Sequence, residues 1–192
     1  MHASGAPERR TIHPVPTTLT NQQRLWDSLM AIAQIGATDK GGSRRLALTD
    51  LDREARDLFV RWCEEAGCVV TVDRMGNIFA RRAGTDESLP PVLAGSHLDT
   101  QPNGGKFDGV FGVLAALEAV RALNEHGIRT KRAIEIVDWS NEEGSRFAPA
   151  PLTLAILPFA SRLLTCPTGL TPCPVSTPPG TLPAESRRCR RA

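Results

Sequence analysis

The feature that most constrains this chain is a strand, a helix and a second strand in immediate succession. Pro91 to Gly95 (PVLAG) is a short apolar run of the kind a buried strand needs. From about Gly109 to His126, Val113, Leu114, Leu117, Val120 and Leu123 recur at helical spacing, and Gly127 supplies the stop. Ala133 to Val137 then reads as strand again. Two strands joined through a helix pair in parallel, because the crossover returns the chain to the same end of the sheet. An α/β fold with helices packed on a sheet follows.

The preceding sequence adds helices and a hairpin to this unit. A first helix spans about Asn21 to Ile35, with Leu25, Trp26, Leu29, Ile32 and Ala33 at helical spacing. The glycine-rich loop GATDKGGSRR follows, and Thr49 or Asp50 caps a second helix that ends at Gly67. Leu51, Leu58, Phe59 and Trp62 are expected on its inner face. Cys68 to Val72 and Ile78 to Ala80 flank the turn at Met75–Asn77 as a hairpin. A hairpin beside a parallel pair makes the expected sheet mixed.

Three stretches of different character divide the 192 residues. Residues 1–20 read as a flexible lead-in and 21–150 as one α/β domain. Residues 151–192 hold eight of the 15 Pro and a single acid, Glu185, and helical and strand periods fade there. A segment this rich in Pro cannot continue an α/β core, and it is expected to be disordered or translated out of frame.

A net charge of +2 argues for neither a nucleic-acid nor a membrane partner. The opening MHASGAPERRTIHPVP has no apolar leader region, and nothing approaches the ~18 apolar residues of a membrane span. The expectation is a cytoplasmic protein. The five Cys (63, 68, 166, 173 and 189) form no CxxC pair and are expected mostly as reduced thiols.

Candidate chemistry is concentrated in GSHLDTQPNGGKFDG at 95–109 and SNEEGSRF at 140–147. His97 and Asp99 follow a strand end, with alternate side chains pointing the same way. Asp108 comes after two glycines at a helix start, where the helix N-terminus favours an anion. Glu142 and Glu143 follow the next parallel strand. Open α/β sheets place ligand sites at the carboxyl ends of their strands, so four acids and a His converge on one rim. Of two adjacent carboxylates, one can bind metal while its neighbour moves protons. Taken singly, each residue also has an ordinary structural reading, and GGKFDG lacks the GK[ST] ending of a phosphate loop. The combination, in this order and spacing, is what points to a site.

From about Arg24 to Pro149 the chain resembles the carbamoylase branch of the co-catalytic metallopeptidase superfamily. That branch comprises N-carbamoyl-L-amino-acid hydrolases, allantoate amidohydrolases and β-ureidopropionases. The blocks GSHLDTQPNGGKFDGVFGVLAALE and WSNEEGSRFAP carry the resemblance. It implies a partial catalytic domain of an amidohydrolase with a mixed sheet and helices on its faces. It also implies two divalent metal ions, Zn or Mn or else Co or Ni. By the same resemblance His97 binds one metal, Asp108 bridges both and Glu143 binds the other. Glu142 is then the general base, and Asp99 orients His97. The implied substrate is a small carbamoyl or ureido compound, cleaved at a linear C–N bond.

Relatives carry two further His ligands beyond the EE pair and a lid domain that forms a homodimer. The four His of this chain are His2, His13, His97 and His126, none of them downstream of Glu143. The expectation is therefore a chain truncated within the family, with each metal short of the three protein ligands usual in catalytic zinc sites, and inactive alone. The alternatives are a dipeptidase or deacylase of the wider superfamily, or a non-catalytic remnant that binds partners through its Pro-rich tail.

Overall fold

The computed structural model describes residues 20–148. The expected lead-in, but for Thr20, and the Pro-rich segment at 151–192 lie outside the described residues, as do Cys166, Cys173 and Cys189. Helix α1 spans Gln22–Gln34 and α2 spans Asp50–Glu65. The strands are β1 (Val69–Val72), β2 (Ile78–Arg82), β3 (Val92–Ser96) and β4 (Ile134–Asp138). Helix α3, Val110–Glu125, connects β3 to β4.

The sheet order is β1-β2-β4-β3. β1 and β2 form the expected antiparallel hairpin, and β3 and β4 pair in parallel as the strand–helix–strand reading required. β4 also pairs antiparallel with β2, from Ile78↔Asp138 to Arg82↔Ile134. The last strand thus inserts between the hairpin and β3 and makes one mixed sheet. Helix α3 packs on β3 and β4, α1 packs on α3, and α2 packs on β1 and β2.

Local signals account for the helix boundaries. The Asn21 side chain accepts from the Arg24 N–H at α1, and Thr49 Oγ1 accepts from the Asp52 N–H at α2. Leu29 and Ile32 from α1, Phe59 and Cys63 from α2, and Val113, Leu117 and Val120 from α3 meet Ile78 and Ile136 of the sheet in one core. A side chain such as Phe59, fully buried, contributes roughly 1.5–3 kcal/mol through area removed from water.

The inner face of α2 differs from the expected one. Asp52, Ala55, Phe59 and Cys63 form the buried stripe, whereas Leu51 is 41% exposed. Asp52 occupies the inward position because its Oδ2 accepts from the Leu48 N–H at 2.8 Å, which rotates Leu51 outward. Trp26 likewise stands half exposed, stacked at a tilt on Phe107. Cys63 and Cys68 are free thiols, as expected, and burial pushes both thiols up from their ordinary range.

Charged groups lie beneath the carboxyl ends of β3 and β4. Arg45 is fully buried and donates to the carbonyls of Ile32, Ile35 and Leu98. It thereby satisfies the Ile35 carbonyl just past the end of α1 and adds a second donor to the Ile32 carbonyl, which already accepts from the Ile35 N–H. Burial lowers its pKa, opposed by the carboxylates of Asp52, Asp138 and Asp99. Asp138, the last residue of β4, is fully buried beside Arg56.

Burial pushes the Asp138 carboxyl up to about 7, while Arg56 pulls it down. An unfolded aspartate releases its proton near pH ~3.9, so between that value and about 7 the folded chain holds a proton the unfolded chain has lost. Stability therefore falls as pH rises through this window. Urea midpoints at pH 5 and pH 8 should differ in that direction, and Asp138→Asn should shrink the difference by on the order of 2 kcal/mol. A pH dependence unchanged in the variant would remove Asp138 as its source.

Candidate metal centre

β3 ends at Ser96 and β4 at Asp138, and in the parallel register these two residues are partners. The chain therefore leaves both strands at the same end of the sheet. His97, Leu98 and Asp99 emerge beside Trp139 to Glu143, and the Trp139 N–H closes the ladder on the Ser96 carbonyl at 2.8 Å.

His97, Asp108 and Glu143 each offer one ligand atom, and these atoms lie within 4.8 Å of one another. The ring of His97 is buried, Glu143 is partly buried and Asp108 is exposed. His97 Nδ1 lies 2.9 Å from the main-chain carbonyl oxygen of Asp99. A carbonyl can only accept, so Nδ1 carries the hydrogen and Nε2 keeps its lone pair, the form in which imidazole binds metal. Nε2 stands 3.4 Å from Glu142 Oε2. Two electron-rich atoms at that distance call for a cation or a shared proton. The donor set, one imidazole nitrogen with carboxylate oxygens, suits Zn, Mn, Co or Ni.

Asp99 acts through both its main chain and its side chain. The carbonyl orients the His97 ring, whereas Oδ1 stands 3.9 Å from Nδ1. The carboxylate accepts from the N–H groups of Glu142 at 3.1 Å and Glu143 at 3.4 Å. One residue after β3 thus fastens the glutamate pair after β4. Burial pushes the Asp99 carboxyl up to about 6, against those two donors and His97.

Asp108 departs from its expected place at the helix start. α3 begins at Val110 with Gly109 as its N-cap, and no side chain caps it. The Asp108 carboxylate is thus spared the capping role and turns toward His97 and Glu143. Gly109 has φ 66°, and a Cβ there would lie 2.4 Å from His97 Cε1 and 2.5 Å from Nε2. The imidazole occupies the space where any other residue would place its side chain.

Sequence reasoning left several contributors unassigned. Gln101 Nε2 donates to Glu143 Oε2 at 2.8 Å. Asn141 has φ 55°, a left-handed conformation that asparagine tolerates better than most residues, and its Nδ2 donates to the Phe147 carbonyl. Arg146 Nη1 donates to the carbonyls of Ala47 and Leu48, tying this turn to the loop before α2. Gln101, Gly109 and Asn141 sit inside the two motif blocks, which was their only signal. His126 ends α3 with its Nδ1 bonded to the Ala122 carbonyl, a structural role.

An α/β sheet with a His, Asp and Glu group at the carboxyl ends of parallel strands has the frame of a metal-dependent hydrolase. Residues 93–160 match the family described as Peptidase family M20/M25/M40. The chain is 58% identical over 136 residues to the N-carbamoyl-L-amino-acid amidohydrolase of Rhizobium meliloti, covering 71% of this chain and 33% of that protein. It is 39% identical over 109 residues to allantoate deiminase 1 of Glycine max, covering 56% of this chain and 23% of the relative. The crystal structure of a hydantoinase/carbamoylase family amidase from Burkholderia ambifaria superposes with a TM-score of 0.70 at 61% identity, over 73% of this chain and 35% of that one. Over the matched residues the chain is thus similar to M20-family proteins and to carbamoylases in particular; it spans about a third of the length of the Rhizobium relative.

Gly109→Ala should displace the His97 ring. We expect Co²⁺ affinity to fall by roughly tenfold or more, with a stability loss of about 1–3 kcal/mol from the left-handed backbone and the clash. Titration monitored by the visible Co²⁺ bands, alongside urea unfolding, checks both; unchanged affinity would mean that the ring does not occupy that gap.

Proposed function

We propose that this chain carries the N-terminal part of the active site of a metal-dependent amidohydrolase that cleaves a linear C–N bond of an N-carbamoyl amino acid or related ureido compound. The observation that carries the reading is the convergence of His97, Asp108 and Glu143, with Glu142 beside the His97 Nε2. Two divalent ions in the intact site would supply Lewis-acid polarisation of the scissile carbonyl and activation of water. His97 and Glu143 would each hold one ion, and Asp108 would lie between them.

The remaining work falls to residues of this chain. Glu142 is the general base: its carboxylate takes the proton from water and delivers it to the leaving nitrogen. Partial burial and the tether of its N–H to Asp99 support that role. Asp99 positions three groups at once, His97 through its carbonyl and Glu142 and Glu143 through its carboxylate. Gln101 holds the Glu143 carboxylate in one orientation. A dipeptidase or deacylase activity remains the alternative, and the substrate panel below distinguishes it.

Among the described residues the group consists of three donors. The 192-residue chain should therefore retain fewer than two Zn²⁺ per chain after gel filtration, measured by metal analysis. Two tightly retained ions would show that further ligands reach the site from elsewhere.

The role assignment is tested by joining residues 20–148 to the remaining length of the Burkholderia amidase. The chimera should hydrolyse N-carbamoyl amino acids or allantoate in preference to dipeptides or N-acyl amino acids. Glu142→Gln should lower kcat by roughly 10²–10⁴-fold with metal content unchanged, because an amide cannot accept the proton. Glu143→Gln should mainly weaken metal binding, with rate recovering at high metal concentration. Equal metal loss in both variants, with neither slowed at saturating metal, would reverse the division of roles.

A further inference from the structure

We propose that Asp138 is a positioning residue that sets the geometry of both loops carrying the candidate metal centre, one directly and the other through Arg56. This rests on the reading of that centre given above.

The β3–β4 ladder stops at Ser96 and Asp138. Beyond Ser96 and Asp138 the strands no longer exchange main-chain hydrogen bonds, except for the Trp139 N–H to the Ser96 carbonyl. Leu98 lies between His97 and Asp99 with its side chain fully buried, and its N–H would be left without a partner. Asp138 Oδ1 accepts it at 2.8 Å. From the other side, Arg45 Nε and Nη2 donate to the Leu98 carbonyl at 3.3 and 3.2 Å. Both peptide groups of the residue linking His97 to Asp99 are therefore held by buried charged side chains.

The second oxygen of Asp138 connects to the other loop. Oδ2 accepts from Arg56 Nη1 at 2.8 Å, and the same nitrogen donates to Ser140 Oγ at 2.9 Å. Arg56 Nη2 donates to the Gly76 carbonyl, which also accepts from Ser140 Oγ at 2.7 Å. The Ser140 N–H donates to Asn77 Oδ1 at 2.9 Å. Ser140 stands two residues before Glu142. One carboxylate and one guanidinium thus bridge the His97–Asp99 loop and the start of the Glu142–Glu143 loop.

Such a pair is a poor choice for stability alone. A buried ion pair can often be replaced by apolar residues of similar volume without loss of stability. What apolar residues cannot do is accept the Leu98 N–H and grip Ser140 together. Arg56 comes from α2 and Asp138 from β4, so neither belongs to the motif blocks that contain the metal donors.

The test uses the full 192-residue chain in two forms, Asp138→Asn and the paired replacement Asp138→Leu with Arg56→Met. Asparagine can still accept from Leu98 but turns an amide toward Arg56; the apolar pair removes both links while filling the space. Urea unfolding reports the fold, and the ¹⁵N spectrum of the His97 imidazole in the metal-free chain reports the loop. Titration with Co²⁺ reports the centre.

In the native chain His97 should show a single Nδ1–H tautomer. The paired variant should fold, while its His97 signals move toward a tautomer average and Co²⁺ affinity per folded chain drops roughly tenfold. A folded paired variant with native His97 signals would overturn the proposal. Should that variant fail to fold, folded Asp138→Asn decides: moved His97 signals support it and native signals overturn it. Loss of folding in both variants would also overturn it, since the pair would then be a stability element. A native chain that binds no Co²⁺ would sink the reading of the metal centre, while the imidazole spectrum would still decide the role of Asp138.

Discussion

The parallel pairing of β3 with β4 is the constraint on which the rest of the site depends. It brings Ser96 opposite Asp138 and sends both chains out of the sheet at one end. The contact is close: a Cβ at Gly95 would lie 2.0 Å from the Val137 carbonyl oxygen, so no larger residue fits that register. A slip of one residue would turn His97 and Asp99 to the opposite face. It would also separate the Asp99 carboxylate from the Glu142 and Glu143 N–H groups.

The rim is then made rigid from below. Arg45, Asp52 and Asp138 are buried, and hydrogen bonds offset the cost of burying such groups, although Asp52 Oδ1 has no partner and burial pushes that carboxyl up. Here they go mostly to main-chain groups of irregular segments: the Leu98 carbonyl and N–H, the Leu48 N–H, and the carbonyls that end α1. Loops cannot satisfy their own peptide groups as a helix or strand does, and these side chains take over that function. A candidate centre assembled from two separate loops acquires fixed geometry in this way.

The M20 relationship and the local geometry support each other without being the same argument. Residues 93–160 match the M20 family, and the structure independently brings a His, an Asp and a Glu within ligand distance. Asp99 illustrates what geometry adds. A second carboxylate near a metal-binding His would ordinarily be taken as the partner of the ring. In this chain the ring is oriented by the main-chain carbonyl, which frees the carboxylate to hold the glutamate pair.

Much of this was legible in the residues themselves. Among the described residues, apolar periodicity located the three helices and four strands, and the strand–helix–strand order required the parallel pair, because those features depend on neighbours a few positions apart. The blocks at 95–109 and 140–147 marked the five candidate site residues, four through their placement after strand ends and Asp108 through its place near a helix start. The insertion of β4 between β2 and β3, the inward turn of Asp52 at the expense of Leu51, and the fit of Gly109 against the His97 ring were not legible. Nor were the roles of Arg45, Arg56 and Asp138, which look in sequence like ordinary charges on a loop, a helix and a strand. Each depends on which distant group lies opposite, and a buried charge is distinguished from a solvated one only by the tertiary contacts that satisfy it. Sequence alone determined the elements and the chemical types at their ends; the tertiary structure decided which of those ends meet and what holds them there.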